Sequence, residues 1–407
     1  MIMGTGSNIQ DIKLRNRLLV LKHIAFSKGI MRSELAQKTN LTKMTVGNIV
    51  SELLSADLIA ESGAERSSAA TGRKPSFYTL SPASPCICGM LIKRKLLQII
   101  LSDLGGNIFF QKECRYTTLE SAQDLLEIMV GLYRDCAAAT DRRIAAVGIA
   151  CVGPLDSTRG YILNPPYFHG IENYPIVEKI REATGLPTYL VNDATAGALS
   201  EMMFGKGTGI PNFAYLHIMN GIGMGLVLNR KLYDGNLGQS GEIGHTSINF
   251  NGPQCVCGNR GCLDLYASTD AMRERIRQLE KFYPASPLVG NVPDWRQIVS
   301  AGEGRDPLAL VVLEEFCGYI AYSLTNAINL LDLSTVIVGY SSNEDGTLVE
   351  DLIAHKLNSL VMSAKHEPIT VTHSIFRGDA PLLGSVALVT DKIFSQQHLL
   401  QELEGLS

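Results

Sequence analysis

Apolar positions in the first eighty residues recur every three or four places, and further along they gather into short unbroken runs separated by turn-forming residues. Leu18, Leu21, Ile24 and Ala25 fall on one side of a helix drawn through residues 13–26, so an amphipathic first helix is expected, closed by Lys28 and Gly29. Ser33 is placed to cap a short second helix over residues 34–38. Thr42 is placed to cap a third, running to about residue 54, that buries Val46, Ile49, Val50 and Leu53. Lys43, Met44, Thr45, Gly47 and Asn48 are then left on or near the exposed start of that helix. Residues 58–60 and 77–80 read as paired strands, and the Ser, Ala and Gly-rich stretch between them carries Arg73 and Lys74. Two helices joined by a tight turn, the second beginning with polar residues, have the geometry that enters a DNA major groove. A plain three-helix bundle would share those helices, and the cationic hairpin is what separates the two readings. Residues 1–80 are therefore expected to form a winged helix-turn-helix DNA-binding domain. Lys43, Met44, Thr45 and Asn48 are its candidate groove contacts, and Arg73 and Lys74 its grip on phosphate or a minor groove. Gly47 costs the helix roughly 1 kcal/mol relative to alanine, and a close approach of backbone to DNA is one reason to keep it.

Beyond residue 81 strands alternate with helices. Residues 99–103 and 108–114 read as paired strands turning at Gly105, Gly106 and Asn107, and residues 119–138 as a helix. The nearly unbroken apolar run 144–151 suits a strand covered on both faces. Residues 205–212, with three Gly and one Pro, read as a hinge. Strands follow at 213–219 and 224–228, then a long apolar helix at 308–331 and a buried strand at 335–338. An α/β body in two successive lobes, 81–205 and 206–407, is expected, the second carrying an oligomerisation surface.

Composition divides the chain in the same place. Residues 1–80 hold eleven Lys and Arg against six Asp and Glu, while the whole chain of 407 residues has a formal net charge of −4, so the body is acidic. A short basic head on an acidic body suits a protein whose head alone meets a polyanion. Apolar residues at 45% and charged residues at 19% fit a globular chain, and neither a signal-peptide pattern nor a long uninterrupted apolar run is present, so a cytoplasmic location is expected. In a reducing compartment the nine cysteines are metal ligands where clustered and packing residues where scattered.

One cluster stands out. His245, Cys255, Cys257 and Cys262 lie within eighteen residues, and three thiolates with one imidazole match a closed, structural zinc site with no position left for water. Gly258 and Gly261 let the chain bend so that the sulfurs converge; reduced, unligated cysteines are the alternative. Cys86, Cys88, Cys114, Cys136, Cys151 and Cys317 sit in apolar segments as packing residues.

The stretch Gly241-Glu242-Ile243-Gly244-His245, followed by the cysteines and by Gly261-Cys262-Leu263-Asp264, resembles the signature of the ROK family of repressors, open reading frames and sugar kinases. The run from Gly148 to Gly153-Pro154-Leu155, Asn164-Pro165-Pro166 and Val191-Asn192-Asp193-Ala194 follow in family order. The first eighty residues are similar to a MarR-like winged helix, and the combination is similar to the family's xylose, N-acetylglucosamine and glucose-responsive repressors. The resemblance implies a two-lobed actin-like fold of the ribonuclease H and sugar-kinase type. It also implies sugar contacts at Asn164, Asn192, Asp193, Glu242, His245 and Asp264, with Asp193 at the position where the family's kinases keep a proton acceptor. Asp264 stands where the family usually has Glu. Carboxylates and an amide suit vicinal hydroxyls, and a metal that fixes His245 would orient its ring.

A kinase of this family needs a first phosphate loop of the Asp-x-Gly-Gly-Thr type, because backbone N–H groups must approach nucleotide phosphates closely. The equivalent stretch here is Leu91-Ile92-Lys93-Arg94-Lys95. Gly339-Tyr340-Ser341-Ser342 replaces a second Gly-rich segment, while Asn220-Gly221-Ile222-Gly223-Met224-Gly225 persists. Lys93-Arg94-Lys95 reads as an exposed hairpin, a contact to a phosphorylated effector being the alternative. These features imply a zinc-containing, sugar-responsive regulator of carbohydrate genes without enzymatic activity. Its expected partners are operator DNA, a free or phosphorylated sugar, a second copy in a homodimer or dimer of dimers, and, as the alternative switch, a transporter subunit. The competing reading is an ATP-dependent sugar kinase.

Overall fold

The computed structural model describes residues 9–63, 76–219, 221–236, 238–342 and 346–395. The head consists of helices Ile9–Ala25, Arg32–Thr39 and Lys43–Ser55, whose buried Leu21, Ile24, Leu35, Val46, Val50 and Leu53 form its core. A three-stranded antiparallel sheet closes it, with Ser76–Leu80 between Ile30–Met31 and Ile59–Gly63. The Thr42 hydroxyl caps the third helix by accepting the Thr45 N–H at 3.1 Å, as its position in sequence predicts. Ser33 does not cap the second. The Glu34 carboxylate accepts the Met31 N–H at 2.9 Å, so the helix begins at Arg32 and Ser33 falls inside its first turn.

Two lobes of one topology follow. The first sheet runs in the order Thr188–Asn192, Ile144–Cys151, Cys86–Lys93, Leu96–Ser102, Ile108–Arg115. The second runs Lys231–Leu232, Ile222–Leu228, Phe213–Ile218, Thr335–Gly339, Thr370–His373. In each, an antiparallel meander of three strands is extended beside its first strand by two parallel strands. This is the duplicated ribonuclease H plan of an actin-like protein.

The first sheet is covered on both faces, and its side chains alternate accordingly. Cys86, Cys88, Met90 and Ile92 face one core with Leu125 and Met129 of helix Ala122–Ala138. Ile87 and Leu91 face another with Leu382 and Val386 of helix Ala380–Ser395. That last helix lies on the first sheet although its residues follow the second lobe in sequence. Gly148 permits the contact: a Cβ there would stand 1.9 Å from the Ser385 carbonyl oxygen.

The second lobe packs around helix Pro307–Leu331, capped by Asp306, which accepts the Ala309 N–H at 2.9 Å. The helix is long and apolar enough to cross a membrane, yet Leu308, Val312, Phe316, Ile320 and Leu324 are core residues of this lobe. Truncating one to alanine would cost about 2–5 kcal/mol. Between the lobes, the buried Glu201 carboxylate accepts the Ser374 hydroxyl and, at 2.7 Å, the Lys206 N–H, so the crossover after helix Asp193–Phe204 is pinned to the end of strand Thr370–His373.

Candidate functional site

Three groups of residues carry chemistry. On the head, Lys43, Met44 and Asn48 are exposed together at the start of helix Lys43–Ser55, with Met44 at 77% exposure. Thr45 is half-buried beside them and its hydroxyl lies 2.8 Å from that of Thr42. A Cβ on Gly47 would meet nothing within 4 Å, so no protein neighbour requires glycine there. Arg73 and Lys74 lie outside the described residues, as does Asn220; the strands flanking the hairpin pair in register, Gly63 opposite Ser76.

The second group gathers at the carboxyl edges of the parallel strands, where open α/β sheets take their ligands. Asn192 ends strand Thr188–Asn192 and caps the helix after it: its Oδ1 accepts N–H groups of Ala194 at 2.9 Å and Thr195 at 3.3 Å. The amide NH₂ stays free to donate. It lies 2.9 Å from the point where a Gly153 side chain would begin, and Glu242 Oε1 of the second lobe lies 3.8 Å from that same point. A glycine at 153 therefore leaves the space between donor and acceptor open. Asp193 Oδ1 accepts the Ala194 N–H at 2.8 Å. Burial pushes its carboxyl up to about 6, against the opposing pull of the helix N–H and of Arg94 and Lys93. Burial likewise raises Glu242, which senses His245, Asp193 and Asp264.

Asp264 is built in more deeply. Its Oδ1 accepts the Ile222 N–H at 2.9 Å and stands 2.6 Å from the Cβ position of Gly244, so it lies between the start of strand Ile222–Leu228 and the Glu242–His245 segment. Asn164 is exposed, and its side chain has no hydrogen bond among the described residues. Its loop is anchored by the Leu163 N–H, which donates to the Pro154 carbonyl at 3.2 Å. The structure thus brings Asn192, Asp193, Glu242, His245 and Asp264 to one cleft and leaves Asn164 on a loop at its rim.

The third group is the cysteine loop. One donor atom from each of His245, Cys255, Cys257 and Cys262 lies within 4.8 Å of the others. Cys255 Sγ is 3.7 Å from His245 Nδ1, and Cys257 Sγ is 3.6 Å from Cys262 Sγ. A tetrahedron with Zn–S bonds of about 2.3 Å has edges of about 3.8 Å, so the spacing and the donor set both fit zinc. With Nδ1 turned to the sulfurs, His245 keeps Nε2 for another partner. Gly261, at φ +61°, is required: a Cβ would stand 1.8 Å from the Asn249 carbonyl oxygen. Of the scattered cysteines, Cys86, Cys88, Cys136, Cys151 and Cys317 are buried and Cys114 is intermediate.

The hairpin at residues 93–95 is not the exposed turn that three successive cations suggest. Lys93 and Arg94 are half-buried and only Lys95 is exposed. Burial lowers the Lys93 ammonium, while Asp379 and Asp193 oppose that shift. The signal available in sequence was the replacement of the loop glycines itself.

A helix-turn-helix head on two ribonuclease H-like lobes, with polar groups from both lobes gathered in the cleft, defines a two-lobed protein of the sugar-kinase type extended by a head. The chain belongs to the ROK family, whose model matches residues 92–392. It is 29% identical over 401 residues to the xylose repressor of Caldicellulosiruptor bescii, an alignment covering 97% of this chain and 99% of the relative. A solved ROK family transcriptional regulator, a homologue of the E. coli MLC protein, is 26% identical and superposes with a TM-score of 0.81 over 97% of this chain and 99% of its own. The glucokinase of Thermotoga maritima is 28% identical and covers 73% of this chain and 98% of its own length.

Proposed function

We propose that the protein is a sugar-responsive transcriptional repressor of carbohydrate uptake or catabolism genes and not an enzyme. The observation that carries this is the joint state of cleft and loop. Asn192, Asp193 and Glu242 still converge, while Lys93 and Arg94 occupy the turn where a nucleotide's phosphates would need bare backbone N–H groups. Likeness to repressors over nearly the whole chain, head included, supports the same reading. Lys43, Met44, Thr45 and Asn48 then face the major groove, with Arg73 and Lys74 in a wing. Two copies in a homodimer place their heads on the halves of a pseudo-palindromic operator. Asn164, Asn192, Asp193, Glu242, His245 and Asp264 hold the sugar. Sugar releases the operator only to the extent that it binds the two states of the repressor unequally.

One structural zinc per chain, on His245, Cys255, Cys257 and Cys262, supplies rigidity, fixing the His245 ring and the segment before Asp264. The kinase reading draws on a single observation: a buried Asp193 raised to about 6 is suited to accept a proton. The deciding experiment measures operator binding and ADP production against D-xylose, D-glucose and N-acetylglucosamine, for wild type and Asp193→Asn. Sugar-dependent change in operator affinity that weakens in the variant, without ADP, supports the repressor. Sugar-dependent ADP production abolished in the variant overturns it.

A further inference from the structure

The Arg94 side chain leaves its hairpin and crosses to the 163–170 loop, where its Nε–H donates to the Pro166 carbonyl at 3.0 Å. The Arg94 carbonyl in turn lies 2.8 Å from His169 Nε2. The Leu119 N–H donates to His169 Nδ1 at 3.3 Å, so Nε2 is the nitrogen that carries the hydrogen and donates to Arg94. The Tyr116 hydroxyl donates to the Lys93 carbonyl, and its ring lies 5.6 Å from that of His169. Hairpin and loop are thus fastened together at several points by residues distant in sequence.

The loop needs such fastening. Tyr167 and His169 hold φ of +59° and +51°, a conformation that side-chain-bearing residues keep only where their surroundings impose it. At its other end the loop is held by the Pro154 carbonyl, next to Gly153, over which Asn192 and Glu242 converge. Asn164 therefore sits on a segment strung between the cleft floor and Arg94. The Arg94 charge also bears on Asp193 from the first lobe and on Asp264 from the second, and its Nη groups have no hydrogen bond among the described residues.

We propose that Arg94 is a positioning residue of the cleft: it holds the loop carrying Asn164 in the shape that meets a sugar already facing Asn192 and Asp193. The inference rests on the reading of the cleft as a sugar site. A segment fixed beforehand loses less freedom on binding, so removal of the clamp weakens affinity while the fold persists.

The test uses the full chain, calorimetry with D-xylose, D-glucose and N-acetylglucosamine, and amide hydrogen exchange. Arg94→Ala and His169→Phe should each weaken binding of the recognised sugar by about tenfold or more, the scale of one loop ordered on binding. Both should speed exchange within residues 163–170 and leave the melting temperature within about 2 °C of wild type. His169→Gln, which keeps a donor and an acceptor, should restore affinity and protection. If wild type binds a sugar and Arg94→Ala binds it equally well, the positioning role is wrong. A general rise in exchange with a collapsed melting temperature also overturns it, since the residue would then be structural. Wild type that binds none of the three sugars overturns the sugar reading of the cleft, and the role of Arg94 with it.

Discussion

Asp193 shows how one buried carboxyl ties stability to binding. Its folded value of about 6 exceeds its ordinary 3.8, so between those values the folded chain keeps a proton that the unfolded chain has lost. The resulting stabilisation is complete below the unfolded value and is lost as pH rises through about 6. In the proposed reading sugar binding runs the opposite way, because the acceptor is the ionised carboxylate. We expect sugar affinity to rise from pH 5 to pH 7, approaching about tenfold per unit well below the carboxyl's own value. Asp193→Asn should bind weakly at all pH and retain only the dependence contributed by Glu242 and Asp264, whose carboxyls burial raises as well. Lys93 and Arg94 oppose the rise of the Asp193 carboxyl through their charge. Calorimetry at four pH values checks this; a wild-type affinity flat across the range removes Asp193 from the ligand. The sequence motif singled out Asp193 as a sugar contact, and the structure puts it first in helix Asp193–Phe204. The sequence concealed Arg94, because a cationic turn reads as solvated until its partner, Pro166, is known.

At the scale of elements, legibility followed locality. Strand Ile144–Cys151 was expected at those residues, because an unbroken apolar run has few other homes, and helix Pro307–Leu331 begins one residue before its expected start. Thr42 was readable as a cap from its neighbours alone. The position of helix Ala380–Ser395 on the first sheet was not, since it depends on Gly148 and Ser385 meeting across 237 residues of chain. The cysteine loop belongs to the local class, and its glycine makes a sharp prediction. Gly261→Ala combines a left-handed φ with a clash against backbone, so it should displace Cys262 and lower zinc content well below one per chain, as Cys257→Ser should by removing a ligand. Elemental analysis of protein purified without chelator, with melting curves before and after a strong chelator, reads both. A metal-free wild type whose melting is indifferent to chelator would refute the zinc assignment.

For the whole molecule the question is how a cleft in the body reaches DNA through the head. Operator affinity should fall steeply between 50 and 200 mM salt, on the order of tenfold or more, because the basic head releases phosphate counterions; affinity insensitive to salt would exclude it as the contact. One link between head and body is a small aromatic joint. The Phe26 ring, just past helix Ile9–Ala25, lies 5.7 Å from Phe204 and 5.8 Å from Phe394. Phe204 ends the helix that starts at Asp193 in the cleft, next to the interlobe crossover, and Phe394 lies near the end of the helix packed along it. A twelve-residue helix is about 18 Å long and stiff, so a change of lobe angle at its cleft end is delivered to Phe26 at the other. Phe26→Ala should therefore leave operator and sugar affinities, measured separately, near wild type. The shift in operator affinity caused by saturating sugar should shrink from the roughly 5 to 150-fold typical of allosteric coupling toward none. Fluorescence titration of labelled operator with and without sugar measures that ratio directly. An unchanged ratio in Phe26→Ala, with Phe204→Ala giving the same result, would show that the signal reaches the head by another contact, the nearest being the hairpin turn where Gly105 packs against the Ala25 carbonyl.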